Sequence, residues 1–533
     1  MQSPPSPQAS LLRYALSVAA AAIAWALIVS QVNAQAAAPA MGFDEARHLL
    51  GRTSFAAQPS EIAEFAKLTR AQAVDRLLAE TRRTAAYPAP QWATSYVRIY
   101  RPEMSQEERQ KAQRREQVER GLELRAWWTA EMLSTPSPLT EKMTLFWHNH
   151  FATSQVKVRV AQLMYRQNVL LRQYALGNFG ALLREISKDP AMLIYLDGAQ
   201  NRKGMPNENF AREVMELFTL GEGNYGEQDI KEVARAFSGW SIDLDAGEFR
   251  FRRPQHDEGE KTIFGQRGRF NGDDVVTLLL KHEKTAEFIV GKLWLEFVSP
   301  EPNRAEINRL AKDFREGGYE IKPLLRAMLL SDEFWMPTHR AVLVKSPVEL
   351  VIGSLRQFRF EVEDPAPFSV VMRQLGQDLF GPPNVKGWPG GDTWLNTSTL
   401  LARKSFLNRL FRVDEMSSPE LAGTTAALID RDLMGERRQR AQTRLALNGG
   451  GGSMAGESMM AAGANATPFG VNNQMKGQYH FDANKWFAQY PNESDSSMLW
   501  KTLLAGPPVQ ATELKYDLAG VRAIALDPMY QLK

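Results

Sequence analysis

The segment from Asn207 to Gly221, Asn207-Glu-Asn-Phe-Ala-Arg-Glu-Val-Met-Glu-Leu-Phe-Thr-Leu-Gly221, constrains the fold of this chain most. At about 100° per residue, Asn209, Arg212, Glu213 and Glu216 fall within roughly 100° of one another. Phe210, Val214, Leu217 and Phe218 fall on the opposite side. This periodicity predicts an amphipathic helix from about Asn209 to Leu220. One of its faces is core; the other is either solvated or the wall of a site.

Helical patterns of the same kind recur along the chain. They are read at 140–151, 163–176, 179–188, 273–280, 285–297, 305–316, 321–330 and 397–411. Ser105-Gln-Glu-Glu108 and Ser346-Pro-Val-Glu349 have the form of capping boxes, in which a hydroxyl and a carboxylate satisfy free backbone amides. The second adds Pro at the first helical position and starts a helix to about Phe358. The period changes at Gly247 to Phe251, which alternates, and at Lys261 to Phe264. Together they read as one small hairpin around the polar loop Arg253 to Gly259. Gly381 to Gly391 is a long turn-rich loop carrying Asn384 and Trp388, and such loops often line sites. The expected fold is therefore mainly α, a multi-helix globular array with a minor β-hairpin. Its organisation is read as a signal peptide over 1–36 and a helical core over 41–447. A flexible Gly/Met/Asn-rich insertion over 448–475 follows, and then a C-terminal segment, 476–533, that packs back on the core.

Composition narrows the class. With 64 basic and 61 acidic residues the net charge is +3, which does not suit a nucleic-acid binder with a concentrated basic surface. The basic run Lys111 to Arg120 is interleaved with Glu107, Glu108, Glu116 and Glu119 and reads as a solvated helix face. At the N-terminus Arg13 precedes an apolar run from Tyr14 to Val29, followed by small residues at Ala34, Ala36, Ala37 and Ala38. This pattern predicts a cleaved signal peptide, the competing reading being a membrane anchor. No second such run occurs, so no membrane association is expected after cleavage, and the protein is expected in the periplasm or secreted. There are no cysteines, which excludes disulfides, thiolate metal sites and covalently attached haem.

Several groups are candidates for chemistry. His148 and His150 flank Asn149; at i and i+2 they face different sides of a helix, and either is a potential proton shuttle or ligand, or simply a packed ring. Glu213 and Glu216, at i and i+3, can share a ligand, and burial would make one an acid and its neighbour a base. Both are candidate catalytic residues, with His148 and His150. Arg212 is placed to pair with Glu216 or to hold a substrate anion. Asn209 and Lys261 are further candidate substrate contacts. His256 and Asp257, five and four residues before Lys261, are candidate ligands of a divalent metal ion. Trp388 and Trp394 are candidate stacking platforms for sugar rings, although core filler is the better reading of either one alone. Gly221-Glu-Gly-Asn-Tyr-Gly226 has the letters of a dinucleotide fingerprint but follows a helix, so it reads as a helix stop. No nucleophile elbow, zinc-protease helix or phosphate loop occurs.

Five segments in one order resemble the bacterial family of domain of unknown function 1800. They are Phe146-Trp-His-Asn-His-Phe151, the Asn207–Gly221 helix, Ala236-Phe-Ser-Gly-Trp240, His256-Asp257 with Lys261, and Asn384-Val-Lys-Gly-Trp388 through Trp394-Leu-Asn396. The resemblance extends from about Met41 to Lys533. It implies an exported helical protein, with a possible partner in a second exported family, domain of unknown function 1501, and it implies no established reaction. The chain departs from the pattern at Gly226, where Ser or Thr is expected to cap the helix holding Asp229, and in the insertion after Asn448. Two readings follow. One is a hydrolase or lyase acting on an extracytoplasmic polymer such as a glycan, through an acid–base or metal site. The other is a non-catalytic envelope assembly or binding protein working with an exported partner. A haem or peroxidase-like protein is a distant third, since only His148 suits an axial ligand.

Overall fold

The computed structural model describes residues 38–94, 104–243, 245–411, 479–490, 497–510 and 515–533. The expected signal peptide and the Gly/Met/Asn-rich insertion lie outside the described residues, as does the end of the expected core, 412–447. The protein is mainly α, with only small two-stranded sheets among the described residues. No described helix is long and apolar enough to cross a membrane.

Local chemistry sets the helix ends. Ser105 Oγ accepts from Glu108 N at 3.3 Å and Ser105 N donates to the Glu108 carboxylate at 2.9 Å, which starts the helix Gln106–Ser134. Ser346 and Glu349 repeat the arrangement at 3.2 and 2.9 Å, with Pro347 first in the helix Pro347–Gln357. Elsewhere the observed helices begin and end within two residues of the periodic pattern, the ordinary fraying of helix termini.

The β element differs from expectation. Strand β1 (Trp240–Asp243) pairs antiparallel with β2 (Glu248–Phe251), and β3 (Lys261–Ile263) pairs with β4 (Gln266–Gly268). The alternating run 247–251 thus closes backwards, and the single hairpin around Arg253–Gly259 becomes two. Turn chemistry explains the choice. Asp243 Oδ1 accepts from Asp245 N and Ala246 N, and Gly247 has φ +64°, which turns the chain locally. Phe264 and Gly265 both have positive φ, the two-residue turn whose twist matches a hairpin. The Arg253–Gly259 loop is left to join the two hairpins.

Among the described residues two apolar clusters form the core. One gathers the N-terminal helices, the Asn207–Gly221 segment and the helices up to Trp335. The other gathers the helix Gln106–Ser134, the 347–411 region and C-terminal residues from Tyr479 to Tyr530. The C-terminal part is fastened by strand β5 (Glu361–Val362) on β6 (Tyr479–His480), and by Trp486 Nε1 donating to Gln357 O at 3.0 Å. Ile194 and Tyr195 pack against both clusters, so the short helix Pro190–Tyr195 lies at their junction. The 381–391 loop bridges the same junction: Val385 packs on the first cluster and Trp388 is buried in the second.

Candidate functional site

The polar helix is regular only to Met215. Glu216–Leu220 forms a π turn, closed by Gly221 at φ +79°. Thr219 Oγ1 donates to Val214 O, five residues back, at 2.6 Å. Such one-turn widenings are rare and occur often at functional sites. This one carries Glu216.

Glu216 accepts a short hydrogen bond from the Tyr225 hydroxyl. Burial, with the Glu216 carboxylate as the second cause, pushes the half-buried Glu213 carboxyl up from its ordinary range; Lys386 and Arg212 oppose the shift. The same Glu213 charge helps burial hold the Tyr195 phenol protonated. Glu213, Glu216, Tyr225, Tyr195 and Lys386 therefore form one electrostatic cluster. They come from the polar helix, the turn after it, the junction helix and the 381–391 loop.

The His148-Asn149-His150 motif holds this cluster in place. Asn149 grips the loop through both ends of its amide: Oδ1 accepts from Trp388 N at 2.6 Å and Nδ2 donates to Trp388 O at 3.3 Å. Gly387 has φ +82°, and a Cβ there would fall 2.3 Å from Asn149 Oδ1. Lys386 is set by this grip and by its own amide donating to Asn384 Oδ1 at 2.9 Å. His150 is buried, and burial together with the Lys292 charge holds it well below the ordinary imidazole range. The neutral ring donates from Nε2 to Phe218 O in the π turn, 3.1 Å, and accepts from Lys292 Nζ at Nδ1, 3.1 Å. Burial brings the Lys292 amine down to about 8.

Several expectations for individual residues are corrected. His148 and His150 are not placed as proton shuttles. His148 is 1% exposed, enclosed by Trp128, Phe380 and Trp388, and lowered to about 3 by burial. Its Nε2 accepts from Phe380 N at 3.2 Å, so both histidines bind backbone. Arg212 does not pair with Glu216. It forms a bidentate contact with Glu227 at 3.0 and 3.1 Å and lies 3.7 Å from Glu208. Asn209 donates to Leu196 O at 3.2 Å and so ties the polar helix to the junction helix. Trp388 and Trp394 are 3% and 7% exposed, which agrees with the core reading of each and leaves no open face for a sugar.

The His256-Asp257-Lys261 group is also satisfied internally. Asp257 pairs with Arg235 at 2.8 Å, which holds its carboxyl down to about 2. Lys261 Nζ donates to the carbonyls of Asp257 and Gly259 at 2.5 and 3.0 Å, and His256 Nδ1 donates to Ser238 O at 2.8 Å. These residues fix the loop between the two hairpins. Among the described residues no three His, Asp or Glu side chains converge as ligands of a metal ion. Gly226, without a capping hydroxyl, still starts its helix: its amide donates to Asp229 Oδ2 at 2.9 Å.

Sequence reasoning missed Tyr225, Lys386, Lys292 and Tyr195. Two signals were present: Lys386 stands inside the Asn384–Trp388 motif, and Tyr225 inside the turn read only as a helix stop.

The family model described as Protein of unknown function (DUF1800) matches residues 48–478. The chain belongs to this family. No curated protein and no solved structure matches it. The five segments that carry the resemblance divide the work physically in this chain. Two of them, the 146–151 helix end and the 384–388 loop, position side chains around the third, the polar helix.

Proposed function

We propose that this protein is an exported enzyme, a hydrolase or lyase acting on an extracytoplasmic polymer such as a glycan. Glu213 and Glu216 would be its acid–base pair. The carrying observation is the pair itself: two carboxyl groups one helical turn apart, one with raised proton affinity, the other bound by a phenol. A carboxyl that keeps its proton nearer neutrality can donate it to a leaving oxygen, while an ionised neighbour accepts one. Tyr225 orients Glu216, and Lys386 supplies a positive charge that an acidic group on a substrate would meet. The site needs no metal ion in this reading. The apolar run Tyr14–Val29 supports export, and an exported partner of the family of domain of unknown function 1501 remains part of the proposal.

The test is a panel of extracellular polysaccharides, read for reducing ends and for the ultraviolet absorbance of unsaturated products. Glu213→Gln and Glu216→Gln are expected to lower the rate by about 10²–10⁴-fold with folding unchanged. Activity that survives in both folded variants sinks the acid–base assignment. A wild-type protein inert on every polymer, yet binding its exported partner through this face, favours the assembly reading instead.

A further inference from the structure

A second place in the molecule gathers charge of one sign. A cavity of about 50 Å³ lies between the N-terminal helix Gly42–Thr53 and the returning C-terminal residues. Arg47, His48, Lys345, Gln357, Thr502 and Lys533 are among its lining residues, and no Asp or Glu side chain lines it. None of the Glu213 cluster borders it either. A volume several times that needed for one water admits a small polyatomic group.

Lys533, which also lines it, is paired with carboxylates, but four other cations in or beside it are held by neutral acceptors. Arg52 and Arg403 are fully buried. Arg47 donates to the carbonyls of Leu504 and Ala505 at 2.5 and 2.9 Å, and Arg52 to those of Phe297, Val298 and His339. Arg403 donates to Gln531 Oε1 and to Lys345 O at 3.1 and 2.9 Å. The Lys345 ammonium stands 4.0 Å from the centre of the Tyr530 ring. Among the described residues, no carboxylate is within ion-pair distance of Arg47, Arg52, Lys345 or Arg403. The nearby Glu349 carboxylate is already shared by Lys142 and Lys533, and Lys533 also takes Glu296 at 3.0 Å. Buried charge without an opposite partner is costly, and neutral carbonyls compensate it only in part.

We propose that this cavity binds a small oxyanion, a sulfate, phosphate or carboxylate group, held by Lys345 and Arg47. The anion supplies the negative charge that the surrounding cations lack. Titration of Lys345 gives the site a signature. Burial lowers its amine to about 7, Glu349 opposes the shift, and Arg403, Arg47 and Lys533 add to it. His48 faces the same cavity but is lowered to about 3 by burial and stays neutral. Lys345 alone therefore changes charge near neutrality, and the anion binds when it is protonated.

The experiment is equilibrium dialysis of the whole protein with labelled sulfate, and separately with labelled acetate, at constant ionic strength. Both probes keep a fixed charge from about pH 6 to about pH 8. At least one is expected to occupy a single saturable site, weakening about tenfold across that range as the lysine loses its proton. Lys345→Met should abolish the site, and Lys345→Arg should retain binding and flatten its pH dependence. If the Met variant does not fold, the Arg variant and the wild-type profile decide. Absence of saturable binding by either probe, or binding unchanged in a folded Lys345→Met protein, overturns the proposal.

Discussion

Asp257 and Glu213 stand in short polar segments that look equally capable of chemistry, yet the fold puts them in opposite conditions. Asp257 is gripped by Arg235 and by the amide of Gly259, and its proton affinity falls. Its neighbours His256 and Lys261 are bound to carbonyls of the same loop and of Ser238. Among the described residues Glu213 has no hydrogen bond of that kind; it sits half-buried near a second carboxylate, and its proton affinity rises. A polar group whose bonding capacity is used inside the fold maintains structure. One kept against its electrostatic preference by burial and a neighbouring carboxylate is a better candidate for work on a ligand. The difference lies in the partners, and these come from distant parts of the chain.

Gly387→Ala attacks the Glu213 side of this comparison and should have the largest effect. The new Cβ would meet Asn149 Oδ1 at 2.3 Å and the Asn149 backbone oxygen at 2.5 Å, at a φ of +82°. Left-handed backbone and the clash together should cost about 2–4 kcal/mol, read as a lower denaturation midpoint. Because the loop must shift, Lys386 should leave Glu213 as well, and any activity of the site should fall with it. An alanine variant as stable and active as the parent would show that the loop position is not what organises the cluster.

Asp257→Asn tests the other side. Arg235 holds its folded carboxyl down to about 2, below the ordinary 3.8, so the ion pair stabilises the protein above that ordinary value. The contribution is lost as pH falls through the folded value. The pair is partly exposed, so solvent screening leaves on the order of 1 kcal/mol at neutral pH. Thermal unfolding should show the variant less stable at neutral pH and converging on the parent below about pH 2, with any activity of the Glu213 site retained. Lost activity in a folded Asp257→Asn protein would move this loop from structure to function.

Much of the helical array is legible in the sequence because each helix carries its own periodicity and its own caps, as Ser105–Glu108 and Ser346–Glu349 do. The pairing of the strands is less so: Glu248–Phe251 alternates equally well for either neighbour, and the turn at Asp243 decides. The π turn leaves the spacing of Phe210, Val214, Leu217 and Phe218 intact, so periodicity cannot report it. Trp388 and Trp394 read as core fillers from residue type alone, but the grip of Asn149 on the first of them is not written in any local pattern. Of the site, Glu213 and Glu216 are readable from one helix. Lys386 and Tyr225 are not, because their roles depend on contacts that no local pattern encodes.

The smallest expected change in stability, and the sharpest test of the comparison, is Lys386→Met. Lys386 is one of the two charges that oppose the rise in Glu213 proton affinity, the other being Arg212. Removing it should raise the Glu213 pKa further while changing global stability by no more than about 0.5 kcal/mol. The sign is fixed by linkage. A carboxyl raised above its unfolded value of 4.5 destabilises the fold progressively as pH climbs through that value toward the folded one. The Met variant should therefore lose stability over a window extending to higher pH than the parent's. Carbon-13 NMR of labelled glutamate reads the titration directly, with Glu213→Gln identifying the resonance. An upward movement places Lys386 in the cluster as a charge acting on Glu213. A resonance that does not move, or moves down, separates the loop from the helix electrostatically and reduces Glu213 to a carboxyl raised by burial and Glu216 alone.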